Sequence, residues 1–458
     1  MSDASTTLRK PVMIPEDNPW ASRWKLAFAV AGVGALMVGY GATMDPKRFA
    51  FSWLFAFAAV MTMALGTIFV VLIQHLTSAN WSVTIRRTAE FYARGIWMLP
   101  LLFIPIAGNV TTLYPWWDVA SDQGHGDHGA AHAQAGEHAE PGHEAHGAAG
   151  HGDEGGHEAH EGGHGDHGPE HAYHAAILQK KLVFLDAGGF WWARQLVYFL
   201  VFIWLGFWTL GLSKKQDETG DKQLTVQMQR KATYGTILYA LSLTFAGFDW
   251  IMSLEPNWFS TMFGVRVFAS GAVLGWAIVI LTAMSLKANG VVGNQINVEH
   301  FHDLGKLMFG FLVFWAYISF SEFFLIWYAS IPEETIYFHR RWDHPSWQMI
   351  SVGLVVFKFI VPFYLAMSRN VKRNSSGIVL AAAWVCGMHF VEMYYWVMPY
   401  AADNQDLQMG GIEFILDLGS VLCTVGIYLG FVWWRMTKSS VIAVNDPRIQ
   451  RSLDFVNA

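Results

Sequence analysis

The chain has 458 residues, of which 53% are hydrophobic and 14% are charged, and its formal net charge is −6. A soluble protein carries charges on about a quarter of its residues, so this composition excludes an ordinary soluble enzyme. The two cysteines, Cys386 and Cys423, both lie in apolar stretches, which excludes a disulfide framework and an iron–sulfur cluster held by this chain alone.

Ten apolar stretches follow one another along the chain, and each is long enough to cross about 30 Å of hydrocarbon as a helix. The runs are continuous and lack the alternation of barrel strands, so they predict helices. The sequence therefore predicts an all-α, polytopic membrane protein with ten transmembrane helices. The predicted spans are 24–42, 49–74, 93–113, 190–212, 232–254, 262–286, 304–330, 346–368, 376–399 and 412–436.

Lysine and arginine are unevenly shared between the two sides of the predicted membrane. The side that holds the N-terminal tail 1–23 and the C-terminal tail 437–458 carries most of them. Because cytoplasmic segments are enriched in these residues, both tails are predicted to be cytoplasmic, in a multi-pass protein of the bacterial inner membrane. The N-terminal tail lacks a signal-peptide pattern, so we expect it to be retained. The opposite side carries only Lys47, Arg48, Lys180, Lys181, Arg340 and Arg341.

A histidine-rich loop, 114–189, separates the first three spans (24–113) from the last seven (190–436) and is predicted to be periplasmic. Between His125 and His174 it holds 13 of the 19 histidines, spaced among Gly, Ala, Glu and Asp. With so few apolar residues, the segment cannot bury a core and is predicted to be disordered or weakly ordered. Metal capture and a solvated, pH-responsive insert both stay open as interpretations, since the irregular spacing matches no defined zinc site.

The histidine and cysteine pattern argues against a redox cofactor in this chain. A membrane b-type haem needs paired axial histidines, but His75 and His389 are predicted at different depths. A covalent c-type haem needs Cys-x-x-Cys-His, which does not occur. We therefore expect no bound haem, cluster or metal. A quinone, either menaquinone or ubiquinone, is the one cofactor that the sequence leaves open.

Several ionisable residues fall inside the predicted spans, where a charge is costly and is commonly functional. Lys358 lies near the centre of its span, and His389 and Glu392 are three residues apart and share a helix face. One interpretation is a proton path linked by Tyr, Ser and water. The alternative is structural ion pairing, of Lys358 with Glu322 or Glu392 and of Arg266 with Asp249. The candidate path residues are Glu322, Lys358, His389, Glu392, Asp249 and Asp417.

The segment that begins at Asp249 is rich in tryptophan, reading Asp-Trp-Ile-Met-Ser-Leu-Glu-Pro-Asn-Trp-Phe-Ser to Ser260. Tryptophans commonly anchor helix ends at the membrane interface. A quinone headgroup also needs an aromatic wall and an acid that exchanges its proton. Asp249, Trp250 and Arg266 are therefore candidate quinone contacts.

Two runs resemble the F-subunit family of bacterial alternative complex III, a branch of the polysulfide-reductase membrane-subunit (NrfD-like) family. They are the segment from Asp249 to Ser260 and the run from Phe314 to Thr335, FWAYISFSEFFLIWYASIPEET. The ten-span layout extends the resemblance over nearly the whole chain, although the histidine-rich insert matches no feature of the family.

The resemblance implies a subunit of a quinol:electron-acceptor oxidoreductase complex that replaces the cytochrome bc1 complex. It implies two four-helix bundles, spans two to five and six to nine, flanked by the first and last spans. It also implies three kinds of partner: an NrfD-like paralogous membrane subunit, an iron–sulfur subunit and multihaem cytochrome c subunits. In that family the paralogue is favoured for quinol oxidation, and the F subunit is thought to offer a proton path without redox centres of its own.

Two other functions stay open at the level of sequence, and neither involves a nucleic-acid partner. A zinc-type metal-ion transporter would need His and Asp ligands near the midplane. The chain has one midplane histidine and a lysine that would repel Zn²⁺, and no His-x-x-x-His falls in a predicted helix. If the chain is a purely structural membrane anchor, substituting the buried charges should leave turnover and proton pumping intact.

Overall fold

The computed structural model describes residues 10–118, 180–181, 184–185, 187, 189–401, 407 and 410–456. The predicted disorder of the segment between His125 and His174 lies outside the described residues. Within those residues the regular structure is helical, without a strand. Ten helices there are long and apolar enough to span a membrane, which confirms the predicted all-α fold class.

The ten membrane helices are named α1 to α10 in chain order. They are α1 (Pro19–Met44), α2 (Pro46–Leu76), α3 (Val83–Ala107), α4 (Gly189–Thr219), α5 (Gln223–Leu254), α6 (Phe263–Ala288), α7 (Val298–Ala329), α8 (Pro345–Met367), α9 (Ser375–Tyr400) and α10 (Gly411–Thr437). A shorter helix between α7 and α8, the linking helix Pro332–Trp342, has charged residues at both ends.

Each predicted span falls on one helix, and α3 shows the largest displacement. The prediction was 93–113, whereas the helix occupies Val83–Ala107. Arg86, Arg87 and Glu90 give its first turns the composition of a loop. In the structure these three side chains are buried, with Glu90 2.8 Å from Arg86 Nε and 3.0 Å from Arg87 Nε. Asp446 and Asp217 also pair with the two arginines, so the positive charges are compensated.

Capping residues fix where the helices begin. Asp45 accepts a hydrogen bond from the backbone N–H of Arg48, and Pro46 occupies the first turn of α2, where a missing N–H is tolerated. At α7, Asn297 and His300 form a reciprocal capping box. These local signals place the charged residues that follow at defined heights in each helix.

Helices α2 and α6 form the centre of the molecule. Their most apolar windows are 94% and 83% buried, against 22% for α8. They touch through Gly66, Gly271 and Gly275, where a Cβ on Gly66 would lie 1.9 Å from the carbonyl oxygen of Gly271. Small residues let helix backbones approach this closely in membranes. The two central helices therefore share one rigid seam.

The other helices pack around this seam in two sets. Contacts join α2 to α3, α3 to α4, α4 to α5 and α5 to α2, and these four are called the first helix group. Contacts likewise join α6 to α7, α7 to α8, α8 to α9 and α9 to α6, which form the second helix group. Helix α1 packs on α10 and α10 packs on α2. The division into two separate bundles that the resemblance implies stays a prediction.

Helix α8 is interrupted by a π-helical stretch, Leu354–Ile360, just before Pro362. A proline ring clashes with the carbonyl of the residue four positions earlier, which is Lys358. Wider turns of this kind relieve the clash and are frequent at functional sites. The distortion therefore falls on the one lysine at the centre of the span.

The C-terminal segment, residues 438–456, packs against the same side of the helices as residues 10–18. Val441 donates to the carbonyl of Val12 at 2.9 Å, and Val12 donates to Ser440 at 3.0 Å. This side is called the tail side. Asp446 of the segment is buried and pairs with Arg86 of α3 at 3.0 Å.

Candidate functional site: a buried charge cluster in the second helix group

Lys358 and Glu392 form an ion pair inside the second helix group. The lysine Nζ contacts the Glu392 carboxylate directly, and only 2% of the lysine side chain and none of the glutamate side chain is exposed. Nζ also lies 3.2 Å from Ser270 Oγ and 4.7 Å from the centre of the Trp315 ring. The pair is therefore enclosed by protein on α6, α7, α8 and α9.

The Glu392 carboxylate is the meeting point of the cluster. Trp315 of α7 donates its indole N–H to one oxygen at 2.6 Å. Ser270 of α6 donates to the other oxygen, which also contacts Lys358. Three helices thus supply donors to a carboxylate on a fourth. Such a carboxylate can hold a charge or a proton with little reorganisation, because its partners are fixed by helix packing.

His389 extends the cluster toward the central seam. Its Nδ1 lies 3.1 Å from Ser270 Oγ, and its Nε2 lies 2.8 Å from Thr62 Oγ1 on α2. The ring is buried, and Nδ1 is 3.9 Å from Glu392. A continuous row of exchangeable protons and lone pairs therefore runs from Thr62 through His389 and Ser270 to Glu392 and Lys358.

Glu322 lies near this cluster but pairs elsewhere. Its carboxylate accepts from Arg266 Nη1 at 3.1 Å and from Ser260 Oγ at 2.6 Å. Arg266 lies one helical turn from Ser270 on α6, and its charge also acts on Glu392. Glu322 therefore belongs to a neighbouring ion pair, nearer the side of the membrane helices opposite the tails. Of the two predicted partners of Lys358, the structure selects Glu392.

Asp249 belongs to a separate site in the first helix group. Arg194 grips it with two nitrogens, at 2.9 and 3.0 Å, and Tyr198 and Gln195 donate at 2.9 and 3.2 Å. The predicted pairing of Asp249 with Arg266 was wrong, because each residue has a nearer partner within its own helix group.

Asp417 forms a third site, at the seam between α10 and α2. It accepts from Arg48 Nη2 at 2.6 Å and from Ser52 Oγ at 2.5 Å. Tyr394 of α9 also touches this arginine at 3.1 Å. The candidate path residues therefore fall into three places, and only Lys358, His389 and Glu392 share direct contacts.

The structure brings together two of the three candidate quinone contacts: Asp249 and Trp250 share Gln195 as a hydrogen-bond partner, whereas Arg266 lies apart. Trp250 is fully buried, its ring packs against Phe57, Phe103 and Phe199, and its N–H donates to Gln195 at 2.5 Å. Arg266 lies in the other helix group. With no open aromatic face at Trp250, these residues do not fit a quinone headgroup.

Three members of the cluster were not predicted from the sequence: Thr62, Ser270 and Trp315. Hydroxyls and indoles inside apolar runs are common, so their type alone carries no signal. The spacing of Arg266 and Ser270, one turn apart on α6, was the available clue, since the two side chains share a face.

Two basic residues nearer the tail side, Arg94 and His75, do not reach the cluster. Arg94 stacks over the Phe207 ring at 3.2 Å and donates to the Phe207 carbonyl. His75 is buried at the tail-side end of α2. Among the described residues, no group of three His, Cys, Asp or Glu is arranged to hold a metal ion.

Searches against models of known protein families and against curated proteins find no match to this chain.

Proposed function

We propose that this chain is an integral membrane subunit of a bacterial respiratory quinol:electron-acceptor oxidoreductase complex and that it carries protons through its second helix group. The observation that supports it most is the contact row from Thr62 through His389 and Ser270 to Glu392 and Lys358. A buried pair maintained for stability alone could be replaced by apolar residues with little loss. Two ionisable partners joined to a histidine instead suit proton exchange.

Each group in the row can take up and release a proton at a defined atom. A proton that reaches His389 Nε2 from Thr62 yields an imidazolium, whose Nδ1–H can pass to Glu392 through the Ser270 hydroxyl. The same carboxylate can exchange a proton with Lys358 Nζ. Arg266 stays protonated and stabilises the carboxylates beside it. Glu322, Arg266 and Ser260 form a separate set of contacts toward the side opposite the tails, and the contact row itself ends at Glu392 and Lys358.

The role in a complex rests on the resemblance of the two sequence runs to the F-subunit family. In this proposal an NrfD-like membrane subunit oxidises menaquinol or ubiquinol, and an iron–sulfur subunit and multihaem cytochrome c subunits carry the electrons. The tail side is the cytoplasmic side of the inner membrane. Cysteines placed at the exposed Glu218 and Asp343 should then be labelled from opposite sides of sealed cells, and labelling of both from one side would contradict the orientation.

The test is the proton-to-electron ratio of the intact complex in proteoliposomes. Lys358→Met should lower proton translocation per electron several-fold while quinol oxidation falls less, because the electron carriers lie in other subunits. Lys372→Met is the matched control, since that lysine is also buried, in the short helix Arg369–Arg373 between α8 and α9, but donates to the backbone carbonyls of Ala366 and Met367. If Lys358→Met pumps like the wild type and the control, the cluster is structural and the chain is a membrane anchor.

A further inference from the structure

The buried ring of His75 has no hydrogen-bond partner within the described part of the chain. Neither Nδ1 nor Nε2 is satisfied, and the residue is 0% exposed. An imidazole has at least one N–H to donate, and in its neutral form one lone pair to fill. Buried polar groups are almost always hydrogen-bonded, directly or through ordered water. This ring therefore needs a partner that the protein side chains do not supply.

Unsatisfied donors from two other elements face the same region. The ring of Trp208, on α4, lies 6.1 Å from the His75 ring, and its indole N–H has no partner among the described residues. The charge of Arg448, in the C-terminal segment, acts on His75, and its Nη1 is likewise unsatisfied although its Nη2 binds Asp446 at 2.9 Å. Helices α2 and α4 and the C-terminal segment thus each bring an unpaired nitrogen to this place.

The surrounding charges indicate what kind of ligand fits. The other charged groups that act on His75 are Arg86 and Asp446, which pair with each other at 3.0 Å. Because these arginines are already neutralised by buried carboxylates, an added anion would lack a free counter-charge, and a metal ion would meet two guanidinium groups. Water can both donate to the ring lone pair and accept from the three nitrogens.

We propose that His75, Trp208 and Arg448 bind a small cluster of water molecules at the tail-side end of the first helix group.

The C-terminal segment closes this site from the tail side. Burial alone would raise the pKa of Asp446, but the positive charges of Arg86 and Arg448 hold that pKa below its usual range. The carboxylate therefore stays ionised at every physiological pH, and its contribution to stability is lost only as the pH falls through this lowered value. The segment therefore covers the site from the tail side throughout the physiological pH range.

Two substitutions at one position distinguish a hydrated from a dry site. His75→Leu has a similar volume but no polar atoms, whereas His75→Gln keeps a donor and an acceptor. If water is bound, His75→Leu should lower the midpoint of thermal unfolding of the purified complex by about 2–4 °C, and His75→Gln should restore most of it. If the site is dry, His75→Leu removes two buried atoms that lack hydrogen-bond partners, and its midpoint of thermal unfolding should equal or exceed that of the wild type. That result would overturn the proposal.

A second pair of variants tests Trp208 independently. Trp208→Phe removes the indole N–H together with part of the ring. Trp204→Phe, one turn away on α4, controls for the lost ring atoms and should lower the midpoint less, because the N–H of Trp204 is not a buried donor without a partner. Equal effects of the two would argue against a water at Trp208. A high-resolution electron cryomicroscopy map of the complex should show water density within hydrogen-bond distance of the His75 ring, and a map without it would also overturn the proposal.

Discussion

The two helix groups each bury an ion pair between their last two helices, and the pairs differ in chemistry. In the first group Arg194 on α4 grips Asp249 on α5. In the second, Lys358 on α8 meets Glu392 on α9. Arginine keeps its proton at any physiological pH and presents a planar fork that matches a carboxylate, whereas lysine is a single charged nitrogen that can lose its proton when buried. The proposed proton exchange is therefore assigned to the second pair.

The surroundings reinforce this difference. Asp249 is saturated by Arg194, Gln195 and Tyr198, all donors from one stretch of α4. That arrangement is closed and locks α4 to α5. The Glu392 carboxylate instead shares Ser270 with His389, which continues to another helix. Similar positions in the two helix groups thus carry different ion pairs. The pair in the first group is closed off by donors from one helix, whereas the pair in the second is connected through Ser270 to a histidine. The two pairs differ in their cation and in the residues around it.

The largest expected effect comes from removing one partner, the lysine, of the Lys358–Glu392 ion pair. Lys358→Met leaves Glu392 buried without its cation and should lower the free energy of unfolding by about 3–5 kcal/mol. The double variant Lys358→Met with Glu392→Met should recover most of that loss, since two apolar side chains replace two charges. Chemical unfolding in detergent measures both. A double variant as unstable as the single one would mean that the pair contributes packing that methionine cannot replace.

A smaller effect is expected at the seam that holds the two groups together. Gly66→Ala places a methyl group against the backbone of Gly271, so α2 and α6 must separate, at a cost of about 1–3 kcal/mol. Gly32→Ala is the matched control, because a Cβ there meets no atom within 4 Å. Because His389 reaches Thr62 across this seam, Gly66→Ala should also weaken proton translocation. Normal pumping in a folded Gly66→Ala protein would show that the Thr62 contact is dispensable.

The sequence predicted the ten helices and three of the cluster residues, because apolar length and buried charge are local properties. It could not select Glu392 over Glu322 for Lys358, since both lie on neighbouring helices and the choice depends on helix rotation. It also missed the start of α3, where Arg86, Arg87 and Glu90 are buried and form ion pairs inside the protein. The unsatisfied ring of His75 is visible only once every neighbour is placed.

The smallest expected effect concerns Lys181, which lies outside the membrane helices and contacts the loop that follows α5 of the first helix group. Lys181 donates to the carbonyls of Pro256 and Trp258, at 2.6 and 3.2 Å, and so holds the loop that follows Asp249. Burial lowers the pKa of Lys181 to about 8, although the charge of Glu255 opposes the shift.

Because this pKa is lower in the folded than in the unfolded protein, the unfolded chain binds more protons between about pH 8 and about pH 10.5. The free energy of unfolding should therefore rise with pH through that window and stay flat, for this group, below it. Lys181→Gln should remove the rise, while Lys180→Gln, at the exposed neighbouring position, should keep it. Thermal midpoints at about pH 7 and about pH 10 measure the difference. If both variants keep the same pH dependence as the wild type, the loop is held by other contacts. If the proton-to-electron ratio instead follows this titration, the first group takes part in proton transfer and the contrast between the two groups fails.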